Sequence, residues 1–346
     1  MGTIKAERPL CPGVHVLVTG ATGFVGGHLV PALVEAGHDV RALVRDRTRY
    51  DPPVDVEVVE GDLLDPDSLD AAFEGVEAAY YLVHSMGSGD DFEERDRRAA
   101  RTFADAASAA GVDRVVYLGG LGEDADDLSP HLKSRREVEG ILAEGDYDLT
   151  TLRAAVIVGA DSASFRMVRQ LVKRLPVMVT PRWVDNECQP IAIRDVVAYL
   201  VGVLDAPATA GGTYGIGGPD VLTYREMLLR TASAAGRMRP LIVSVPVLTP
   251  NLSSYWVGFV TDVPASVARP LILGLKNPVV VTDDSIRDHV HVELTPFDDA
   301  VCRALDRLDE GPGASDPPSA AERGTGGGNA DIASGPADPT GGEGDR

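Results

Sequence analysis

Short runs of apolar, mostly β-branched residues recur through the first half of the chain, and each is bounded by glycine or polar residues. They predict strands at 14–18, 40–44, 54–59, 78–83, 115–118 and 149–158. Within each run the apolar residues are nearly continuous, which is typical of strands that are buried on both faces of a parallel sheet.

Helical periodicity separates most of these runs. Apolar residues at three- and four-residue spacing predict helices over 24–34, 92–110 and 134–144. Gly37 follows the first of them, where a glycine commonly ends a helix. Because strands and helices alternate, the pattern predicts an α/β fold with a doubly wound parallel sheet.

The second half of the chain is less regular. Helices are predicted over 162–175, 194–205, 224–236 and 297–308, with one short strand at 213–216. This pattern favours a smaller, mostly helical C-terminal lobe over 161–310, interleaved with the first domain. Residues 1–12 are expected to be flexible, and the Gly-, Pro- and Asp-rich residues 311–346 are expected to form a disordered acidic tail.

Composition and charge restrict the possible partners. The chain has 346 residues, a formal net charge of −21 and 44% hydrophobic residues, which is typical of a folded protein. No basic run is present, so nucleic acid is excluded as an expected partner. The scarcity of lysine beside abundant aspartate indicates a high-salt cytoplasm. The alternative is an ordinary acidic protein from a GC-rich genome.

The sequence also indicates a compartment. Cys11, Cys188 and Cys302 are far apart and form neither a disulfide framework nor a zinc motif. The first residues lack the apolar core of a secretory signal, and no apolar run is long enough to span a bilayer. We therefore expect a cytoplasmic protein without a transmembrane segment or a metal site.

A glycine-rich turn, TGATGFVG at 19–26, joins the first strand to the first helix. Gly20 permits a tight turn, Gly23 lets the backbone approach a pyrophosphate, and Gly26 allows close packing of the helix. In this context the motif predicts a Rossmann dinucleotide-binding domain over 13–160, the alternative being a tight turn without a ligand. The predicted cofactor contacts are Thr19, Gly20, Thr22, Gly23, Phe24, Val25 and Gly26.

Together with Asp62 and Leu63 after the third strand, this turn resembles the short-chain dehydrogenase/reductase superfamily, in particular its extended and atypical branches. Segments 81–87, 152–159, 181–184 and 274–277 narrow the resemblance to YbjT-type NAD(P)H-binding proteins, relatives of NmrA-like proteins and of an accessory subunit of respiratory complex I. The resemblance implies that Asp62, Leu63, Val83 and His84 contact the cofactor. Local hydrogen bonding at a strand terminus would explain His84 equally well.

The end of the second strand bears on the choice of cofactor. NAD enzymes of this fold place an acid there, on the ribose 2′-hydroxyl. Here Val44 is followed by Arg45, which Arg47 or Arg49 could help to pair with a 2′-phosphate. NADP is therefore the expected cofactor. NAD is the alternative, with Arg45 solvated and Asp46 turned towards the ribose.

The superfamily transfers protons with a Tyr-x-x-x-Lys helix turn, preceded by a serine at the end of strand five. Here strand five ends in two glycines, His131 stands at the tyrosine position and Arg135 at the lysine position. Sugar-nucleotide epimerase or dehydratase chemistry thus loses most of its support. His131 and Arg135 remain catalytic candidates, with His131 expected to titrate near neutrality and Arg135 to lower its pKa. A capping or surface role for His131 is the alternative.

Hydride transfer itself needs only a positioned nicotinamide and an acceptor. The apolar segment 245–275 would line an apolar substrate pocket, rest on a membrane surface or form an ordinary core lobe over the nicotinamide. The resemblance to a complex I subunit implies a quinone- or lipid-like small molecule as the substrate. We expect an atypical NAD(P)H-dependent reductase. A non-catalytic NAD(P)H-binding redox sensor or accessory protein is the alternative, and the oligomeric state stays open.

Overall fold

The computed structural model describes residues 13–84, 92–122, 129–245, 273–275 and 277–310. The predicted flexible N-terminus at 1–12 and the predicted tail at 311–346 lie outside the described residues. Most of the apolar segment 245–275 lies outside them as well.

The chain alternates strands and helices in the order that the hydrophobic pattern predicts. The strands are β1 (His15–Thr19), β2 (Asp39–Val44), β3 (Val56–Glu60), β4 (Ala78–Tyr81), β5 (Arg114–Gly120), β6 (Asp148–Ala154), β7 (Ile157–Val158), β8 (Val177–Thr180), β9 (Glu187–Cys188), β10 (Ile191–Ala192), β11 (Thr213–Ile216), β12 (Leu222–Thr223) and β13 (Leu241–Ser244). The α-helices are α1 (Phe24–Glu35), α2 (Asp70–Phe73), α3 (Phe92–Ala110), α4 (Pro130–Leu142), α5 (Ala163–Arg174), α6 (Ile193–Asp205), α7 (Tyr224–Ala234) and α8 (Phe297–Glu310).

Seven parallel strands form one sheet in the order β11-β6-β5-β4-β1-β2-β3. The predicted doubly wound α/β fold is confirmed. Strand β1 pairs with β2 on one side and with β4 on the other, so the strand order reverses at β1. In such sheets ligands bind in the crevice at the carboxyl ends of the strands on either side of this switch point.

Helices cover both faces of the sheet. Side chains of α1 and α6 pack with β1 and β2 on one face, and those of α2, α3 and α4 pack on the other. Tyr80 and Tyr81, adjacent in β4, point into these opposite clusters and are both almost completely buried. Burial on both faces explains why the strand runs are continuously apolar.

Two predicted boundaries differ most from the structure. The run predicted as one strand over 149–158 is divided, because β6 ends at Ala154 opposite Gly120, the last residue of β5, and the chain continues in β7, which pairs with β10. Helix α4 begins at Pro130 instead of 134. The Ser129 side chain accepts a hydrogen bond from the Leu132 backbone N–H and caps this helix.

The C-terminal residues build a second cluster while returning to the main sheet. Strand β11 pairs in parallel with β6 and becomes the edge of the seven-stranded sheet. Helices α5, α7 and α8 pack around a separate apolar cluster that includes Phe165, Met227 and Val301. Three two-stranded sheets, β7 with β10, β8 with β13 and β9 with β12, extend this part of the chain.

Candidate functional site

The glycine turn lies at the switch point, between β1 and α1. Gly20 has a φ of +73°, in the region that favours glycine, and a Cβ there would lie 2.9 Å from the Leu82 carbonyl oxygen. A Cβ on Gly26 would lie 2.2 Å from the Gly20 carbonyl oxygen. Gly26 is therefore required for the close approach of α1 to the turn itself.

No side chain caps the N-terminus of α1. Gly23 is its N-cap residue and offers no side-chain cap, and the first turn contains no acidic residue. Gly23 and Gly27 donate their backbone N–H groups within the turn, but those of residues 24–26 have no acceptor among the described residues. Such N–H groups, together with the helix dipole, form an anion-binding site. A pyrophosphate fits this turn.

The side chains of the turn have different surroundings. Thr22 is exposed, whereas Phe24 and Val25 are half-buried and pack against the α1–α6 cluster. Thr19 is buried, and its hydroxyl donates to the Tyr80 carbonyl oxygen over 2.9 Å and accepts from the Leu82 N–H. The Thr19 side chain thus ties β1 to β4, so the backbone N–H groups of the turn and the exposed Thr22 side chain are left for a phosphate.

At the end of β2 the side chain of Arg45 is exposed and has no partner within the described residues. Asp46 is engaged: its Oδ1 accepts from the backbone N–H of Thr48 over 2.9 Å and from the Thr48 hydroxyl over 2.6 Å. These hydrogen bonds lower the pKa of the Asp46 carboxyl. Arg47 and Arg49, in the short 3₁₀ turn that follows, are also exposed.

The other predicted cofactor contacts follow β3 and β4. Asp62 accepts the Leu64 N–H over 2.9 Å in a local turn, and the Leu63 side chain is buried in the α2–α3 cluster. Val83 is half-buried against the same cluster. The chain from Leu82 to His84 lies beyond the end of β4, next to the carboxyl end of β1.

The structure brings His84 together with His131 and with a residue that the sequence reasoning missed, Asp96. His84 Nε2 lies 3.0 Å from His131 Nδ1, and the ring centroids are 4.4 Å apart, edge to face. On its other side, His84 Nδ1 lies 3.0 Å from Asp96 Oδ2. The Ser134 hydroxyl donates to the same Asp96 oxygen over 3.3 Å. A continuous Asp96–His84–His131 hydrogen-bonded chain results.

The expectation that His131 titrates near neutrality was wrong. Burial, with the Arg135 guanidinium as the next cause and His84 after it, lowers the pKa of His131 to about 2. Burial and Arg135 also lower the pKa of His84, and Asp96 opposes this shift. His131 belongs to the first turn of α4 and is only partly exposed. Both imidazoles are therefore neutral at rest near pH 7.

Arg135 is fixed by the backbone of β5. Its guanidinium donates to the Leu118 carbonyl oxygen over 3.1 Å, and its own carbonyl oxygen accepts from the Tyr117 hydroxyl over 3.2 Å. A Cβ on Gly120 would lie 2.6 Å from Leu132 and 3.4 Å from Arg135. A glycine at the end of β5 thus allows α4 to pack closely against this strand.

Asp96 could have been found from the sequence. It lies on the same stripe of α3 as Ala99, Ala100 and Phe103, all of which are buried. A carboxylate on an apolar helical stripe is rarely buried without a partner. Its partner, however, comes from another element, so the identity of that partner was not visible in the helical pattern.

The described residues contain no group of three or more His, Cys, Asp or Glu side chains that could hold a metal ion. None of the helices in this part of the chain is both long and apolar enough to cross a bilayer.

Comparison with known proteins agrees with this geometry. A family profile described as NAD(P)H-binding matches residues 20–176. A ceramide reductase of Caulobacter vibrioides is 28% identical over 287 residues, covering 81% of this chain and 86% of the relative. A (4-alkanoyl-5-oxo-2,5-dihydrofuran-3-yl)methyl phosphate reductase of Streptomyces griseus is 32% identical over 233 residues, covering 64% of this chain and 74% of the relative.

The resemblance to an accessory subunit of respiratory complex I is also confirmed. Subunit 9 of the NADH dehydrogenase [ubiquinone] 1 alpha subcomplex of Arabidopsis thaliana is 27% identical over 234 residues, which cover 64% of this chain and 58% of the relative.

Solved structures share the fold. The triphenylmethane reductase of Citrobacter sp., complexed with NADP(H), aligns with a TM-score of 0.67 at 21% identity, over 84% of this chain and all of that one. The strand order of the main sheet and the glycine turn agree with the NAD(P)H-binding character of the relatives. The chain therefore belongs to the atypical short-chain dehydrogenase/reductases, a family of NAD(P)H-binding reductases.

Proposed function

We propose that this protein is an NADPH-dependent reductase that reduces a carbonyl group of an apolar, alkyl-bearing acceptor. The observation that carries the proposal is the open N-terminus of α1, where the backbone N–H groups of residues 24–26 have no acceptor among the described residues. These groups would hold the pyrophosphate. When bound, the cofactor supplies a hydride.

The side chains at the end of β2 support NADPH over NADH. Arg45 is exposed and without a partner in the described chain, whereas the Asp46 carboxylate is engaged by Thr48. The two hydrogen bonds from Thr48 hold the Asp46 carboxylate in the local turn through its Oδ1, so only its Oδ2 is left for the ribose hydroxyls. A guanidinium without a partner, in contrast, can pair with a 2′-phosphate at two oxygens.

The names of the relatives support an apolar acceptor. Ceramide is a lipid, and the substrate named for the Streptomyces relative carries an alkanoyl group. The candidate groups for the carbonyl oxygen are His131, in the first turn of α4, and behind it His84, which follows β4 beside the switch point.

The test measures binding and turnover separately. Calorimetry with NADPH and NADH is expected to show tighter binding of NADPH. Oxidation of NADPH is then followed by its absorbance with ethyl 3-oxodecanoate and, as the matched short-chain control, ethyl 3-oxobutanoate. Faster oxidation with the long-chain ester supports the proposal. Tight NADPH binding without oxidation by either ester or by decylubiquinone would favour the redox-sensor alternative instead.

A further inference from the structure

Three separate elements contribute to the Asp96–His84–His131 chain. His84 follows β4, Asp96 lies on α3 and His131 lies in the first turn of α4. Both contacts that link them measure 3.0 Å. The Asp96 side chain is 4% exposed and that of His84 is 12% exposed, so the links are largely shielded from water.

The chemistry of Asp96 fixes the protons in the resting chain. An ionised carboxylate can only accept, so His84 must carry its proton on Nδ1 and direct it to Asp96 Oδ2. A neutral His84 then has a lone pair on Nε2, which must accept from Nδ1 of His131. Both rings are thereby held in the Nδ1–H tautomer. His131 Nε2 is left as the unprotonated end, and it has no partner among the described residues.

We propose that Asp96, His84 and His131 form a proton relay that takes the place of the tyrosine–lysine unit of the superfamily. This inference rests on the proposed function. His131 stands at the position where the tyrosine is expected, and Asp96 and His84 lie behind it and act through it.

The relay supplies the one proton that a carbonyl oxygen needs when the carbonyl carbon is reduced by a hydride. In its protonated form, His84 carries protons on both nitrogens beside the Asp96 carboxylate, and His131 carries its proton on Nε2. The carbonyl carbon receives the hydride, the C=O π electrons move to the oxygen, and the His131 Nε2 proton goes to that oxygen. The His84 Nε2 proton moves to Nδ1 of His131, which restores the resting tautomers. Water then returns one proton to the relay.

Charged groups on two helices act on this relay. Asp96 on α3 favours the protonated form, and Arg135 on α4 opposes it. Ser134, Tyr117 and Tyr81 are the neutral polar groups nearby, and Ser134 bonds Asp96. Burial raises the pKa of both tyrosines, and Asp96 adds to this shift; at Tyr117, Arg135 opposes it and Glu139 adds to it.

The sign of the pH dependence follows from these charges. Because the pKa values of both histidines are lowered, the protonated relay becomes scarcer as the pH rises, and the decline begins below the ordinary imidazole value. The rate of reduction is expected to fall over the same range. Removing the negative charge of Asp96 lowers both histidine pKa values further, so an Asp96→Asn protein is expected to be slower at every pH above that range.

The first experiment does not need turnover. Nitrogen NMR of protein labelled at histidine, recorded well above the usual imidazole pKa of about 6.5, reports the tautomer of each ring. His84→Gln and His131→Gln proteins identify the two signals. Both rings are expected as Nδ1–H tautomers. A proton on Nε2 of His131 at that pH would overturn the relay.

The second experiment measures proton transfer in turnover. With NADPH and ethyl 3-oxodecanoate, Asp96→Asn and His84→Gln are each expected to lower kcat by about 100-fold, the usual range for a lost acid–base group. Asp96→Asn is not expected to alter the KM for the ester or the Kd for NADPH, because Asp96 lies behind His84 and acts through it. The pH profile of Asp96→Asn is expected to shift to lower pH.

Asp195→Asn is the matched control. Asp195 is also buried, at 1% exposure, but its carboxylate accepts from the Thr295 N–H and hydroxyl in the C-terminal part of the chain. It is expected to keep the wild-type pH profile. If Asp96→Asn behaves as Asp195→Asn does, the relay is wrong while the reductase proposal stands. No oxidation of NADPH by the wild type would instead overturn the proposed function and the relay that rests on it.

Discussion

Two adjacent glycines of α1 have different surroundings. A Cβ on Gly26 would lie 2.2 Å from the Gly20 carbonyl oxygen, whereas the atom nearest to a Cβ on Gly27 is the Ala21 carbonyl oxygen at 3.9 Å. Gly26→Ala is therefore expected to push α1 away from the turn. We expect it to lower the free energy of unfolding by about 1–3 kcal/mol and to weaken NADPH binding.

Gly27→Ala is the control for this prediction. It is expected to raise the free energy of unfolding by about 0.5–1 kcal/mol, because alanine loses less conformational entropy in a helix than glycine does. Urea unfolding and NADPH calorimetry measure both variants. Equal changes in stability would show that the turn and the helix are not in tight contact at Gly26.

Arg45 is the residue on which the proposed preference for NADPH depends. Arg45→Asp is expected to weaken NADPH binding by about 2–4 kcal/mol, since a charge-assisted pair is lost and a repulsion is added. NADH binding should change little or improve. Calorimetry at one fixed salt concentration makes the comparison, because added salt screens the difference.

The control variant for Arg45 is Arg101→Asp, which makes the same charge change at an exposed position of α3. It should affect NADPH and NADH alike and only slightly. Losses of equal size for the two cofactors in Arg45→Asp would exclude Arg45 as the discriminating residue.

For single residues, the sequence predicts a role where that role depends only on the local backbone. The glycine turn could be predicted because its role follows from its place between a strand and a helix. The role of the Thr19 hydroxyl could not, because its acceptor is the carbonyl of Tyr80, 61 positions away. The partnership of His84 with Asp96 and His131 likewise depends on how α3 and α4 pack.

Among the elements, β4 and α6 are joined by one buried hydrogen bond. The Tyr80 hydroxyl donates to the Leu200 carbonyl oxygen over 2.8 Å. Tyr80→Phe is expected to lower the free energy of unfolding by about 1 kcal/mol, because a buried hydrogen bond between the two elements is lost. Thermal or urea unfolding measures the change.

Tyr147 offers the opposite case for comparison. Its hydroxyl is buried and has no hydrogen-bond partner among the residues that the structure describes. Tyr147→Phe removes a polar atom that burial disfavours, so this change is expected to be neutral or stabilising. If Tyr80→Phe and Tyr147→Phe destabilise the protein equally, loss of the hydroxyl bond to α6 does not explain the effect at Tyr80.

Long elements were easier to predict than short ones. Each predicted strand of the main sheet has a counterpart in the structure, because its apolar run is fixed by burial on both faces. Strands β9, β10 and β12 each have two residues and were not predicted. Such short strands exist only through their partners, which the local sequence does not identify.

At the scale of the whole molecule, alternation of strands and helices was enough to predict the doubly wound sheet. The chain then leaves the sheet after β6, forms β7 to β10 and α5 with α6, and returns to pair β11 with β6. From the sequence, only a short strand at 213–216 could be predicted, without the strand that it pairs with. Its place at the edge of the sheet depends on a pairing across about 60 residues.

The net charge of −21 makes the stability of the whole protein sensitive to salt. Self-repulsion of this size weakens the compact state in dilute buffer. Raising the ionic strength from 0.1 to 1 M shortens the Debye length from about 10 Å to about 3 Å. If the high-salt interpretation is correct, Tm is expected to rise by about 5 °C over this range, roughly 2 kcal/mol for a protein of this size.

Calorimetric scans in sodium chloride and potassium chloride test this prediction, with sorbitol at matched osmolality as the uncharged control. The two chlorides are expected to act alike, because screening depends on ionic strength, and sorbitol is expected to raise Tm less. If Tm stays constant or falls in both chlorides, repulsion between the carboxylates does not weaken the folded protein in dilute buffer. The composition would then be that of an ordinary acidic protein.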